Sequence, residues 1–181
     1  GQIYALGYDY VSAIELYNKM EKEYGENVNT TYYRAQWYAE IDDYDRAIAD
    51  MLKCVEETAE KKVYPIMYLT SFYRQNGQFD EAIKWASKLI DLLPADSFGY
   101  YVRGWCYELK GNDTEAMKNY NAGIDVDKEY PYIYLMRGEQ YLKLGETELA
   151  KADFERVLEF DTEVTNGSCR HFALHFLGYD T

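Results

Sequence analysis

The chain has 181 residues, 48% of them apolar, with 21 tyrosines, three prolines and a formal charge of −13, a composition that packs a core and argues against disorder. So acidic a chain argues against nucleic acid or an anionic membrane as partner, because phosphate binding is driven by Lys and Arg displacing counterions. Cys54, Cys106 and Cys169 are odd in number and far apart, with no CxxC, so neither a disulfide framework nor a zinc module is indicated and a reducing, cytoplasmic setting is expected. No stretch approaches the roughly 18 consecutive apolar residues of a membrane span, and the first residues lack a basic flank followed by an apolar run.

One period runs through the chain. Ala13, Ala47, Ala82, Ala116 and Ala150 recur at steps of 34, 35, 34 and 34, and nine residues before each stands a tyrosine, Tyr4, Tyr38, Tyr73, Tyr107 and Tyr141. In chain order, residues 1–27 read as a partial unit. It has a remnant of a first helix at about Gln2 to Leu6, a turn at Leu6-Gly7-Tyr8-Asp9, and a second helix that bares Ala13, Leu16 and Tyr17. Units at about 28–62, 63–96, 97–130 and 131–164 follow, each two amphipathic helices.

The fourth unit shows the pattern most fully. Its first helix carries Tyr100, Gly104 and Tyr107 at helical spacing and closes at Gly111, and its second resumes near Asp113 with Ala116, Tyr120, Gly123 and Ile124 on one face. Gly77 and Gly145 stand where Gly111 does, Pro94 falls where a second helix should stop, and Pro65 and Pro131 near where first helices should start. The phrase Leu-Gly-Tyr-Asp returns at Leu177 to Asp180, so residues 168–178 read as a further first helix that covers the preceding pair.

These registers resemble the tetratricopeptide repeat (TPR), whose unit runs W-x₂-L-G-x₂-Y, then A-x₃-F, then P. The segments YYVRGWCYELKGNDTEAMKNY from Tyr100, YLMRGEQYLKLGETELAKADF from Tyr134 and YLTSFYRQNGQFDEAIKWA from Tyr68 carry the likeness. Ala86 in place of the usual aromatic, and Thr31 and Ile66 in place of the first aromatic, depart from it. The resemblance implies an all-α fold, a right-handed α-solenoid of antiparallel helix pairs, forming a single array over residues 1–181.

Several residues invite a chemical reading. Arg34, Arg103 and Arg137 recur in phase, but sixteen residues after them stand Asp50, Asn119 and Asp153, whereas the third unit has Leu69 and Trp85 at the same two places. A polar pair exchanged for an apolar one indicates a contact between the helices of one unit rather than an anion ladder. Cys169, His171 and His175 have metal-ligand chemistry, yet Cys169, Phe172, Ala173 and Phe176 occupy packing positions of a first helix, and no metal site is expected. With two histidines in all and no GxSxG, phosphate loop or HExxH, neither catalysis nor a cofactor is expected.

By the same resemblance, the first helices line a concave groove that receives a protein or peptide. Register assigns Tyr32, Gln36, Tyr64, Met67, Arg74, Phe98, Tyr101, Trp105, Tyr132, Leu135 and Glu139 to it. The set is aromatic at its centre and lacks the Lys, Asn and Arg clamp with which some family members hold acidic tails, so apolar anchoring of a peptide segment is expected. Two alternatives stand beside a scaffold of this kind. One is a self-assembling segment of a longer array, joined end to end through the N-terminal unit, and the other is a recruiting or regulatory module of a larger enzyme.

Overall fold

A computed structural model describes residues 9–57, 63–160 and 168–179. Among the described residues the regular structure is helical throughout: α1 (Tyr10–Tyr24), α2 (Val28–Glu40), α3 (Tyr44–Glu57), α4 (Val63–Gln75), α5 (Phe79–Leu92), α6 (Ser97–Leu109), α7 (Asp113–Val126), α8 (Pro131–Lys143), α9 (Thr147–Glu159) and α10 (Ser168–Leu177). The remnant expected at Gln2 to Leu6, with Tyr4 and most of the first Leu-Gly-Tyr-Asp phrase, lies outside the described residues.

Local chemistry sets the helix ends. Asp9, Asn27, Asp96 and Asn112 cap α1, α2, α6 and α7, their side chains accepting from the backbone N–H of Ser12, Asn29, Phe98 and Glu115. Pro131 opens α8, where its missing N–H costs nothing, and Pro65 lies in the first turn of α4. Between paired helices the chain turns through Gly77, Gly111 and Gly145 at φ of 72°, 74° and 78°. Asp42 takes the corresponding place after α2 at φ 58°, a conformation that a short polar side chain tolerates.

The chain divides into two compact units, Gly1–Trp85 and Ala86–Thr181. In the N-terminal unit α2 packs against α1 and α3, and α3 against α4. Ile14, Ala35, Tyr38, Ala47, Met51, Leu69 and Phe72 form its buried interior. In the C-terminal unit α6 pairs with α7 and α8 with α9, α7 also packs on α8, and α10 lies against α9 and α8. Ala116, Tyr120, Ile133, Ala150, Phe154, Val157, Cys169 and Ala173 make one continuous core there.

Small residues let these backbones meet. A Cβ on Gly104 of α6 would stand 2.6 Å from Cε1 of Tyr120, and one on Gly138 of α8 would stand 2.6 Å from Cε1 of Phe154. The spacing of glycine on a first helix against an aromatic on its second is therefore a packing requirement. Phe154 in turn stacks on Phe176 of α10 with ring centroids 4.9 Å apart and planes 8° from parallel.

Candidate protein-interaction site

The in-phase arginines are structural, and they reach further than one unit. Arg34 donates to Asp50 Oδ2 from Nε at 2.6 Å and to Oδ1 from Nη2 at 2.8 Å. Its Nη1 donates at 3.0 Å to Asn18 on α1 and also pairs with Glu21 there. Arg103 donates at 2.6 Å to Asn119 and at 3.1 Å to Ser87, and Arg137 donates to Asp153 at 2.8 and 2.7 Å and to Asn121 at 2.8 Å. Each guanidinium thus holds its own second helix and the second helix of the preceding pair, sixteen residues away in either direction. The backward arm was not read from the sequence, although Asn18, Ser87 and Asn121 stand at a fixed offset that could have shown it.

In the third repeat Leu69 is fully buried and Trp85 half-buried at the equivalent places. Asp50 and Glu21 hold Arg34 protonated against its burial, and the bond from Arg34 holds the Glu21 carboxyl below its ordinary range.

The residues assigned to the groove divide between the two units. In the N-terminal one, Tyr32 of α2 meets Tyr68 of α4 edge to face, centroids 5.6 Å apart. The Tyr68 hydroxyl donates at 3.2 Å to Gln36 Oε1, while Gln36 Nε2 donates at 3.4 Å to the Tyr32 carbonyl. Burial, then the neighbouring Tyr68, push the Tyr32 hydroxyl upward in pKa. Met67 and Arg74 are half-buried and Tyr64 is exposed. Tyr68 links the Tyr32 and Gln36 side chains although register did not select it.

The C-terminal unit gathers more. On α6, Tyr101 lies 6.3 Å from Phe98 and 5.7 Å from Trp105, centroid to centroid. Across to α8 it lies 6.3 Å from Tyr132, and it meets Tyr130, just before α8, at 5.4 Å. Tyr130 and Tyr132 are themselves 5.6 Å apart. Five rings therefore form one half-buried cluster on the first-helix side of the unit. Tyr130 is the member that register missed; it sits outside any helix, and its signal is its place immediately before Pro131.

Below the rings the face turns polar. Glu108 of α6 accepts from the Tyr120 hydroxyl at 2.9 Å and pairs with Lys143 of α8. Glu139, one turn before Lys143, is half-buried, and burial followed by the charge of Glu108 raises its pKa. Leu135, expected in the groove, is buried in the core of this unit.

Cys54 and Cys169 are buried thiols, pushed up to about 11 and about 12, in each case chiefly by desolvation. Cys169 and Ala173 pack as expected, whereas Phe172 is 51% exposed and Phe176 reaches its stacking partner while remaining 43% exposed. Among the described residues, no three His, Cys, Asp or Glu side chains converge as metal ligands, and no helix is long and apolar enough to cross a membrane.

A profile of the tetratricopeptide repeat matches residues 99–130 and again 131–163, which hold α6 with α7 and α8 with α9, in the phase marked by Ala116 and Ala150. Residues 99–163 are thus two tetratricopeptide repeats. The TPR chain is 24% identical to the human mitochondrial import receptor subunit TOM70 over 83% of its own length and 26% of that protein. It is 26% identical to the TPR repeat-containing protein YpiA of Bacillus subtilis strain 168, over 89% of this chain and 38% of that one. It spans well under half the length of either relative. Among solved structures, TTC0263, a thermophilic TPR protein of Thermus thermophilus, superposes with a TM-score of 0.70 at 21% identity, covering 97% of this chain and 94% of that one. The shared architecture is that of a protein-interaction scaffold.

Proposed function

We propose that this TPR chain is a non-catalytic scaffold that docks a protein or peptide segment on the first-helix face of its C-terminal unit, through Phe98, Tyr101, Trp105 and Tyr132 with Tyr130 beside them. The supporting observation is the five-ring cluster, which rests on the core through one side and keeps the other accessible. The helix pairs close through other residues, Gly104 against Tyr120 and Gly138 against Phe154, so the cluster can receive a partner without opening the fold. Half-buried Trp and Tyr are the residues on which interface energies concentrate, each at about 1 to 4 kcal/mol when truncated. The import-receptor name of one relative fits a docking role.

The test is a Trp105→Ala, Tyr101→Ala double variant, measured against partners captured by affinity and then purified. Loss of binding by a variant whose helical melt is intact is the expected result. Unchanged affinity in the folded variant refutes the reading.

Self-association through α1 is a second reading, favoured by Val11, Leu16 and Tyr24, which are 55%, 58% and 82% exposed. Concentration-dependent light scattering that falls on Leu16→Lys supports it; a single mass at every concentration rejects it.

A further inference from the structure

The chemistry of the cluster narrows what it can hold, given the docking reading above. Along the adjacent first helices α6 and α8, side chains align in layers. Tyr101 meets Tyr132 at one level, Glu108 and Glu139 lie about two turns further along, and Lys143 about one turn beyond them. Trp105 and Leu135 occupy the register between. The face therefore runs from five aromatic rings into two carboxylates and one ammonium.

The single ammonium is already engaged. Lys143 pairs with Glu108, which also accepts from Tyr120. Glu139 makes no hydrogen bond or ion pair with any of the described residues. It is half-buried, with Glu108 as a like-charged neighbour, and that combination outweighs the attraction of Lys143 and disfavours its ionised form. A half-buried carboxylate left in this state gains from an incoming cation, both by direct attraction and by relief from Glu108. Trp105, about one turn before the level of Glu108, presents a ring whose face attracts cations. This fold already places guanidinium groups over rings, Arg156 over Phe160 and Arg46 over Tyr38 at 4.6 Å each.

We propose that the stretch of this face between Trp105 and Glu139 accepts a lysine or arginine side chain of a basic peptide segment whose flanking apolar residues lie on the rings of Phe98, Tyr101, Tyr130 and Tyr132. The formal charge of −13 on the whole chain steers such a segment inward. A neutral peptide would bring no counter-charge to Glu139, and an acidic one would add to the repulsion already present.

The experiment selects peptides from a phage-displayed random library on the immobilised 181-residue chain, then measures synthetic copies by fluorescence anisotropy against the parent, Glu139→Gln and Trp105→Ala. Helical melts establish that each variant is folded, and Trp105→Leu replaces the alanine variant if that one melts early. The expected result is enrichment of Lys or Arg flanked by apolar residues, with affinity falling about tenfold in each variant and falling with added salt. Selected peptides without basic residues that lose affinity in Trp105→Ala but not in Glu139→Gln overturn the cation assignment and leave the docking reading standing. Peptides that bind both variants as well as the parent, or no enrichment at all, overturn both.

Discussion

Removing Arg34 tests whether the arginines in phase hold the array together or merely decorate it. Arg34 and Asp50 side chains are 7% and 8% exposed, so Arg34→Leu strands the Asp50 carboxylate in the interior without its two guanidinium bonds. Glu21, at 29%, can turn toward water and adds little. Breaking one side of a buried pair costs about 3 to 5 kcal/mol. Replacing both, as in Arg34→Leu, Asp50→Leu, leaves no buried charge and restores the kind of contact that the third repeat makes at Leu69, so the double variant should lie within about 1 kcal/mol of the parent.

The coupling between the two sites is then at least about 2 kcal/mol, read from urea unfolding of the parent, both single variants and the double. In a thermal scan the Arg34→Leu variant should lose on the order of 20 °C from the transition of the N-terminal unit. Arg137, 18% exposed beside an Asp153 at 7%, should show the same pattern with a smaller penalty. A single-variant cost under about 1 kcal/mol, or a double variant as unstable as Arg34→Leu, would falsify the view that burial of the pair sets its energy.

Gly104→Ala should destabilise the C-terminal unit, because its new methyl meets the Tyr120 ring at 2.6 and 2.8 Å while Tyr120 is fully buried and tied to Glu108. Overpacking of about 1 to 3 kcal/mol outweighs the helix-propensity gain of about 1, and a variant that melts above the parent contradicts the close approach. Acid should weaken the N-terminal unit through Glu21. Its folded pKa is lowered by Arg34, so its contribution is present above the ordinary Glu range and lost as pH falls through the folded value. Glu21→Gln should flatten that acid limb in stability measured at stepped pH; parallel curves for the two proteins would show that the bond contributes nothing.

The helices were legible because the tyrosine and alanine registers mark contacts that every unit must make, and the glycines with positive φ at 77, 111 and 145 mark the turns between them. The step of 35 between Ala47 and Ala82 was equally informative, since it carries Asp42 onto the position of Gly77. Partners within one unit, such as Arg137 and Asp153, followed from a fixed offset. Contacts that depend on how one pair meets its neighbour did not. Leu135 is buried where register alone placed it in the groove, and Tyr130 joins the rings from a loop, where helical periodicity says nothing about direction. Phe172 occupies a packing position by register and still stands 51% exposed on α10, because a position in the repeat becomes a contact only when another element lies opposite it.

The offset of sixteen has a bearing on how such a chain can change length. Asn121, the backward partner of Arg137, and Ser87, the backward partner of Arg103, are themselves 34 residues apart. Excising one whole unit between them would bring Arg137 to Ser87, a side chain of the same accepting chemistry, and duplicating a unit would give every arginine a partner again. A loss or gain of a few residues between an arginine and one of its acceptors has no such remedy, for it breaks that offset of sixteen. The arginines therefore act as a ruler written into the gene: they permit a change by the whole unit between Ser87 and Asn121 and penalise any other increment that falls between an arginine and its acceptor.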